Sequence, residues 1–324
     1  MSNLEKDPLE LVCDPVGNGA VVDILEPRDV PLGGPRAMGV RRTLPQRRRS
    51  LIGAWCFVDH YGPDDVAATG GMVVPPHPHT GLQTVSWLFA GEIEHRDSAD
   101  HHAMVRPGEL NLMTAGRGIQ HSEVSTPQTT TLHGAQLWVA LPDATRHTAP
   151  LFEHYVPVPV RFGAATVRVF LGSLLGELSP ATAFSPIVGA QIDLPAGASV
   201  DLPIDLDFEH GVLVDAGEAT VQRERVEVSH LGYLGTGRST LRLEAGATPV
   251  RALLIGGTPL GESIVMWWNF IGRSHEEIVQ FRAQWQSDVV AGGTTAGRFG
   301  AVRGYDGRPL PAPEMPNVRL RPRE

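Results

Sequence analysis

Two short stretches carry residue types that bind metal ions. "VPPHPHTG" places His77 and His79 one residue apart, and "GIQHSE" repeats that spacing with His121 and Glu123. On an extended strand, residues i and i+2 point to the same side. Each pair is therefore able to converge on one ion, and two adjacent strands inside a barrel would bring the pairs face to face. Three neutral imidazoles and one carboxylate form a borderline donor set suited to Fe, Mn, Cu, Ni, Co or Zn. Four protein ligands on a six-coordinate ion leave two positions open, which oxygen activation and Lewis-acid chemistry both need. Seven of the thirteen histidines lie between residues 60 and 121 and only three after residue 160, so the chemistry is expected in one half of the chain.

The elements that must position these residues are short strands. The 324 residues are enough for two domains, and 36 Gly with 27 Pro imply many turns. Strand-sized segments such as "LQTVSWLFAGEIEHRD", "AMVRPGELNLMTAGRG" and "TLHGAQLWVALP" alternate with turn residues and show no helical period, the texture of a sandwich or barrel. The stretch 143–159 is poor in strand signals and holds three prolines, so it is expected to be a linker. Strand-like segments then resume ("ATVRVFLG", "EHGVLVDAGEATVQ", "VRALLIGG"). The expectation is all-β: a metal-binding N-terminal barrel over 1–142, a second barrel without a metal site over 160–290, and an extended tail over 291–324. One short helix is expected at about 274–289. Ser274 caps it, Glu277 completes an S-x-x-E box, and Ile278, Phe281 and Trp285 share one face.

Composition narrows the function. A net charge of -9 does not favour nucleic acid as a partner. The basic run Arg41, Arg42, Arg47, Arg48 and Arg49 is the exception, and it is read as a solvated edge guarded by charge. No apolar run is long enough for a membrane span. The opening "MSNLEKDPLELVCDP" lacks the basic and apolar regions of a secretory signal, and Cys13 and Cys56 form no disulfide framework. A reducing cytoplasm is therefore expected.

The wording around the histidines adds to the spacing. "HPHTGLQTVSWLFAGEIEHRDS" followed by "RPGELNLMTAGRGIQHSE" resembles the pirin family, a bicupin branch of the cupin superfamily. "FVDHYGP" upstream and "GGTPLGESIVMWWNFIGRSHEEI" downstream extend the resemblance over roughly residues 35–290. It implies two cupin barrels of the double-stranded β-helix or jelly-roll type. It also implies one divalent transition metal, usually iron, in the N-terminal barrel, with His77, His79, His121 and Glu123 as ligands. One position departs from the pattern. The family often has Glu four residues after the second histidine of H-x-H, and here that place is Gln83, which is read as able to orient a ligand or a water.

Function follows as an expectation from the same resemblance. The first reading is a metal-dependent dioxygenase of the quercetinase type, acting with O2 on a flavonol or similar enolisable aromatic, with Glu123 as ligand and general base. The alternative is a non-enzymatic iron protein acting as a redox-sensitive co-regulator or as a partner of a metabolic enzyme. Either is expected as a monomer. Gly116 and Gly118 are expected to form the tight turn that delivers His121. His95 and Asp97 are read either as lining the barrel mouth or as a hydrogen-bonded strand end, Asp59 and His60 are expected at a strand end, and His101 and His102 in a solvated loop. Trp87, Phe89, Met104 and Met113 are core candidates that would also suit an apolar wall above the metal, while His210, His230 and His275 are scattered.

Overall fold

The computed structural model describes residues 22–31, 38–69 and 71–323. Cys13 lies outside them. The chain is all-β, as expected, and each half pairs one large antiparallel sheet with a small one. In the first half, seven strands lie in the spatial order Leu151–Tyr155, Leu110–Thr114, Leu82–Ala90, Thr131–Ala140, Trp55–Asp65, Gly39–Leu44 and Arg28–Pro31. Facing them is a four-stranded sheet ordered Val73–His79, Ile119–Ser125, Ile93–Asp97 and His102–Val105.

Strand alternation decides what each face does. On Trp55–Asp65, Phe57, Asp59 and Tyr61 turn into the first barrel. There Phe57 stacks on Trp138 at 4.0 Å and Tyr61 packs with Val74, Leu88 and Ile93. The intervening Val58 and His60 turn outward to the second half of the chain.

The second half repeats the plan. Strands Asp23–Leu25, Leu231–Leu234, Glu209–Ala216, Val250–Gly257, Ile187–Leu194, Ala165–Leu174 and Val160–Phe162, with the two-residue strand Glu177–Leu178 paired to Ala165–Leu174, form its large sheet. Ser199–Pro203, Thr240–Ala245, Ala219–Val221 and Glu224–Val226 form the small one, and an apolar core lies between the two. The large sheets of the two barrels meet across a mostly apolar seam, where Trp55, Val58, Trp87 and Leu137 pack with Phe170, Leu213, Leu253 and Ile255. Trp87 lies 4.6 Å from Phe170, and the Trp55 indole donates to the carbonyls of Val188 and Gly256 at 3.2 and 3.1 Å. An aromatic side chain of this size buries about 150–250 Å², worth at most about 4–6 kcal/mol by area. Strand Asp23–Leu25, N-terminal in sequence, pairs with Leu231–Leu234 of the second barrel and ties the two together.

The stretch 143–159 contains strand Leu151–Tyr155, which pairs with Leu110–Thr114 as an outer strand of the first barrel. Its residues are half-buried or exposed on both faces, so no alternating pattern marks it in the sequence. The helix runs from His275 to Gln284 and continues as a π-helical turn through Val290. The Ser274 hydroxyl accepts the Glu277 N–H at 3.2 Å, and Ile278, Phe281 and Trp285 are buried. Beyond it the described residues form no helix or strand, apart from a single bridge between Arg323 and Ile264, yet they lie against the first barrel. The Leu310 N–H donates to the Pro76 carbonyl at 2.8 Å, and the Gln120 amide donates to Gly300 at 2.7 Å.

Candidate metal centre

His77 and His79 stand on strand Val73–His79, an edge of the four-stranded sheet. Pro75, Pro76 and Pro78 share that strand, and an edge is where a sheet tolerates residues without an N–H. The neighbouring strand Ile119–Ser125 sets His121 directly opposite His77, and the register then shifts before Glu123. On its other side the same strand pairs His121 with Asp97 and Glu123 with His95. The turn before it needs its glycines: a Cβ on Gly116 (φ +52°) would lie 2.1 Å from the Thr148 carbonyl oxygen. A Cβ on Gly118 would strike the Arg298 side chain.

The structure brings His77, His79 and His121 together, with one ligand-type atom from each lying within 4.8 Å of the others. All three are fully buried. A second triplet of His95, His121 and Glu123 satisfies the same limit and shares His121, so Glu123 lies beside the three imidazoles. The Ser86 hydroxyl lies 3.4 Å from Glu123 Oε1 and 3.0 Å from Gln136 Oε1, so its one proton is shared between two acceptors.

The hydrogen bonds around the rings decide which nitrogens face inward. A carbonyl only accepts, so His77 Nδ1, 2.8 Å from the Pro75 oxygen, carries its proton there. His79 Nδ1 does the same toward Asn269 at 3.2 Å. Asp97 Oδ2 lies 3.3 Å from His95 Nε2, and His95 Nδ1 lies 3.3 Å from His121 Nδ1. With Asp97 ionised, protons run along this chain so that His121 Nδ1 donates. The Nε2 atoms of His77, His79 and His121 are all left as lone pairs.

Two of these lone pairs, on His79 and His121, face each other at 3.1 Å, and His77 Nε2 is buried with no hydrogen-bond partner among the described residues. Burial also holds all three imidazoles well below their ordinary pKa, so they remain neutral. Three convergent, unprotonated nitrogens beside a carboxylate suit a divalent transition ion, and the outer hydrogen bonds fix their tautomers in the usual way for such ligands.

Other residues singled out in the sequence are placed elsewhere. Gln83 stands on the face of strand Leu82–Ala90 opposite to Ser86. Its amide donates to Thr114 Oγ1 at 2.9 Å and to the Thr182 carbonyl at 3.0 Å, so it does not orient a ligand of the centre. Trp87 and Phe89 belong to the seam, and Met104 lines an outer cleft with Val66 and Val124. Of the four apolar candidates only Met113 packs near the centre, with Ile119 and Trp138. Trp138 meets the His79 ring edge-on at 5.0 Å.

The basic run is solvated only in part: Arg47 and Arg48 are exposed, whereas Arg42 is buried and Arg41 and Arg49 are half-buried. Arg42 is buried against Asp59 at 2.6 and 2.8 Å, and Arg41 donates to the Gly62 carbonyl. Arg48 pairs with Asp23, and Arg49 pairs with Glu209 and covers the Tyr233 ring at 3.5 Å. His101 bonds to Asp97 and His102 to Glu94. Sequence reasoning did not find Phe152, which stacks on His95 at 4.7 Å, or the Asn269 carbonyl that orients His79. Both come from segments far away in the chain, and no local motif marks them.

Comparison with known proteins agrees with this architecture. The pirin family model matches residues 37–139, and the model of the pirin C-terminal cupin domain matches residues 189–290. The chain is 41% identical over 292 residues to a Pseudomonas aeruginosa protein named "Putative quercetin 2,3-dioxygenase", covering 89% of each. It is 32% identical to a pirin-like protein of Caulobacter vibrioides, covering 76% of this chain and 88% of that one. A crystal structure of quercetin 2,3-dioxygenase from Acinetobacter baumannii superposes with a TM-score of 0.85 at 35% identity, covering 93% of this chain and 98% of that one.

Proposed function

The chain belongs to the pirin family, and from that premise we propose that it is a metal-dependent dioxygenase of the quercetin 2,3-dioxygenase type, acting with O2 on a flavonol or similar enolisable aromatic. In this reading His77, His79, His121 and Glu123 hold one divalent transition ion, Fe2+ in the cell. When bound, such an ion polarises a substrate oxygen and supplies a redox centre for O2. The protein's own groups do the rest. Glu123 accepts the proton of the substrate hydroxyl, with the Ser86 hydroxyl, also bonded to Gln136, beside its carboxylate. The Asp97–His95–His121 chain keeps the His121 Nε2 lone pair directed inward. Trp138, Met113 and Ile119 keep the surroundings dry, which strengthens electrostatic interactions there.

The observation that supports this reading is the meeting of three neutral imidazoles and a buried carboxylate, in a chain 41% identical to a protein named for quercetin dioxygenation. The proposal includes a monomer in a reducing cytoplasm. Burial raises the Cys56 thiol to about 12 and leaves it unreactive. The test is oxygen uptake by anaerobically reconstituted protein across a panel of flavonols, which should depend on both substrate and metal. The second reading, a redox-sensitive co-regulator or metabolic-enzyme partner, draws on the relatives named only as pirins. It expects bound metal with no substrate-dependent uptake.

A further inference from the structure

A second group of metal-ligating side chains lies about the seam, apart from the centre above. His60 comes from strand Trp55–Asp65 and His133 from strand Thr131–Ala140, both in the first barrel. Asp215 comes from strand Glu209–Ala216 in the second. The Nε2 atoms of His60 and His133 each lie 2.7 Å from the same oxygen, Asp215 Oδ1. All three residues are buried, with 1%, 7% and 3% exposure. One ligand-type atom from each lies within 4.8 Å of the other two.

Hydrogen bonding alone does not account for this arrangement. Although His133 Nε2 is close to Asp215 Oδ1, it lacks the alignment of an N–H···O bond and has no other partner among the described residues. As a donor it would leave a buried proton unpaired; as an acceptor it would set a lone pair against a carboxylate. Either is costly in a buried site. A cation between the three atoms removes both difficulties.

The surrounding groups fit that role. Ser229 Oγ lies 2.9 Å from His60 Nδ1 and holds the ring from its far side. Arg251 takes the other Asp215 oxygen, Oδ2, leaving Oδ1 to face the imidazoles. The Arg251 guanidinium lies outside the group, over the Phe89 ring at 4.3 Å. Arg251 offsets part of the carboxylate's charge, but it offers no lone pair and does not compete as a ligand.

We propose that His60, His133 and Asp215 form a second divalent-cation site, of the two-histidine, one-carboxylate kind that takes a zinc-type ion with water completing the shell. Because its ligands come from both barrels, the ion acts as a staple across the seam. It adds a second ion to the single metal expected from the sequence, and it does not depend on the dioxygenase reading.

The test uses full-length protein stripped with a chelator and reloaded with Co2+. Wild type should bind two ions per chain, while His133→Gln and His79→Ala should each bind one. Anomalous scattering at the cobalt edge from wild-type crystals should show one peak between His60, His133 and Asp215, and another among His77, His79 and His121. Added Zn2+ should raise the melting midpoint of His79→Ala but not of the His79→Ala/His133→Gln double variant. A wild-type peak only at His77, His79 and His121 would overturn the proposal, as would a seam ion retained in His133→Gln. If the peak at His77, His79 and His121 is missing while the seam peak is present, the dioxygenase reading fails and this one stands.

Discussion

His79 Nε2 and His121 Nε2 face each other at 3.1 Å, with each ring's outer nitrogen already engaged in a hydrogen bond. Two neutral imidazoles turn lone pairs toward one another only where a cation can sit between them. In the His133→Gln background, which lacks the seam site, we therefore expect His79→Ala and His121→Ala to abolish stoichiometric metal binding. His102→Ala, at an exposed ring paired with Glu94, should retain it. Asp97→Asn should fall between these limits, with about 10–100-fold weaker binding, because the tautomer of His121 is no longer fixed. Metal titration monitored by elemental analysis separates the three classes.

Gln83 gives the opposite expectation to its position in the motif. Its amide bonds to Thr114 and Thr182 on the outer face of the barrel wall. Gln83→Glu should leave metal affinity unchanged. It should lower stability by about 1–3 kcal/mol, because a buried carboxylate cannot donate to the Thr182 carbonyl. Urea unfolding of metal-free protein reads the second effect, and metal titration reads the first.

Arg42 and Asp59 form a fully buried ion pair inside the first barrel, at 1% and 0% side-chain exposure. Removing one partner leaves a buried charge uncompensated. Asp59→Asn should cost about 3–5 kcal/mol in unfolding free energy, and Asp59→Asn with Arg42→Met should recover part of that loss.

His210 sets an acid limit to stability. Burial lowers its imidazole to about 4 in the folded chain, against about 6.5 when unfolded. As pH falls from 6.5 to 4 the unfolded chain takes up the proton first, so the fold loses stability across that window. The loss from this group is about 3 kcal/mol, and below pH 4 it adds no further slope. In chelator-treated protein, the difference in unfolding free energy between pH 7 and pH 4 should shrink by about that amount in His210→Gln.

The parts of the fold legible in the sequence were those written in local pattern. Two all-β halves, the late helix with its Ser274 cap, and the two H-x-(H/E) pairs on neighbouring strands all follow from strand alternation, capping and motif. Contacts made at long range were not legible. Leu151–Tyr155 reads as linker because an outer strand with no fully buried residue on either face carries no alternation. The basic run reads as surface because neither Asp59 opposite Arg42 nor Glu209 beside Arg49 is visible without the sheet register. His95 looks like an ordinary strand residue until Asp97, His121 and Phe152 close around it. His60, His133 and Asp215 share no spacing at all, since the sites that unite them lie on two barrels.

In the dioxygenase reading Glu123 is the proton acceptor in flavonol oxygenation. Its direct test compares wild type with Glu123→Gln at matched Fe2+ occupancy, following flavonol loss and oxygen uptake together under single-turnover and steady-state conditions. The account predicts that wild type consumes both substrates and that the variant, with its metal still bound, is slower by about 10²–10⁴-fold, as for loss of a general base. Equal turnover by the two proteins, or no turnover by metal-loaded wild type with any flavonol, would contradict it.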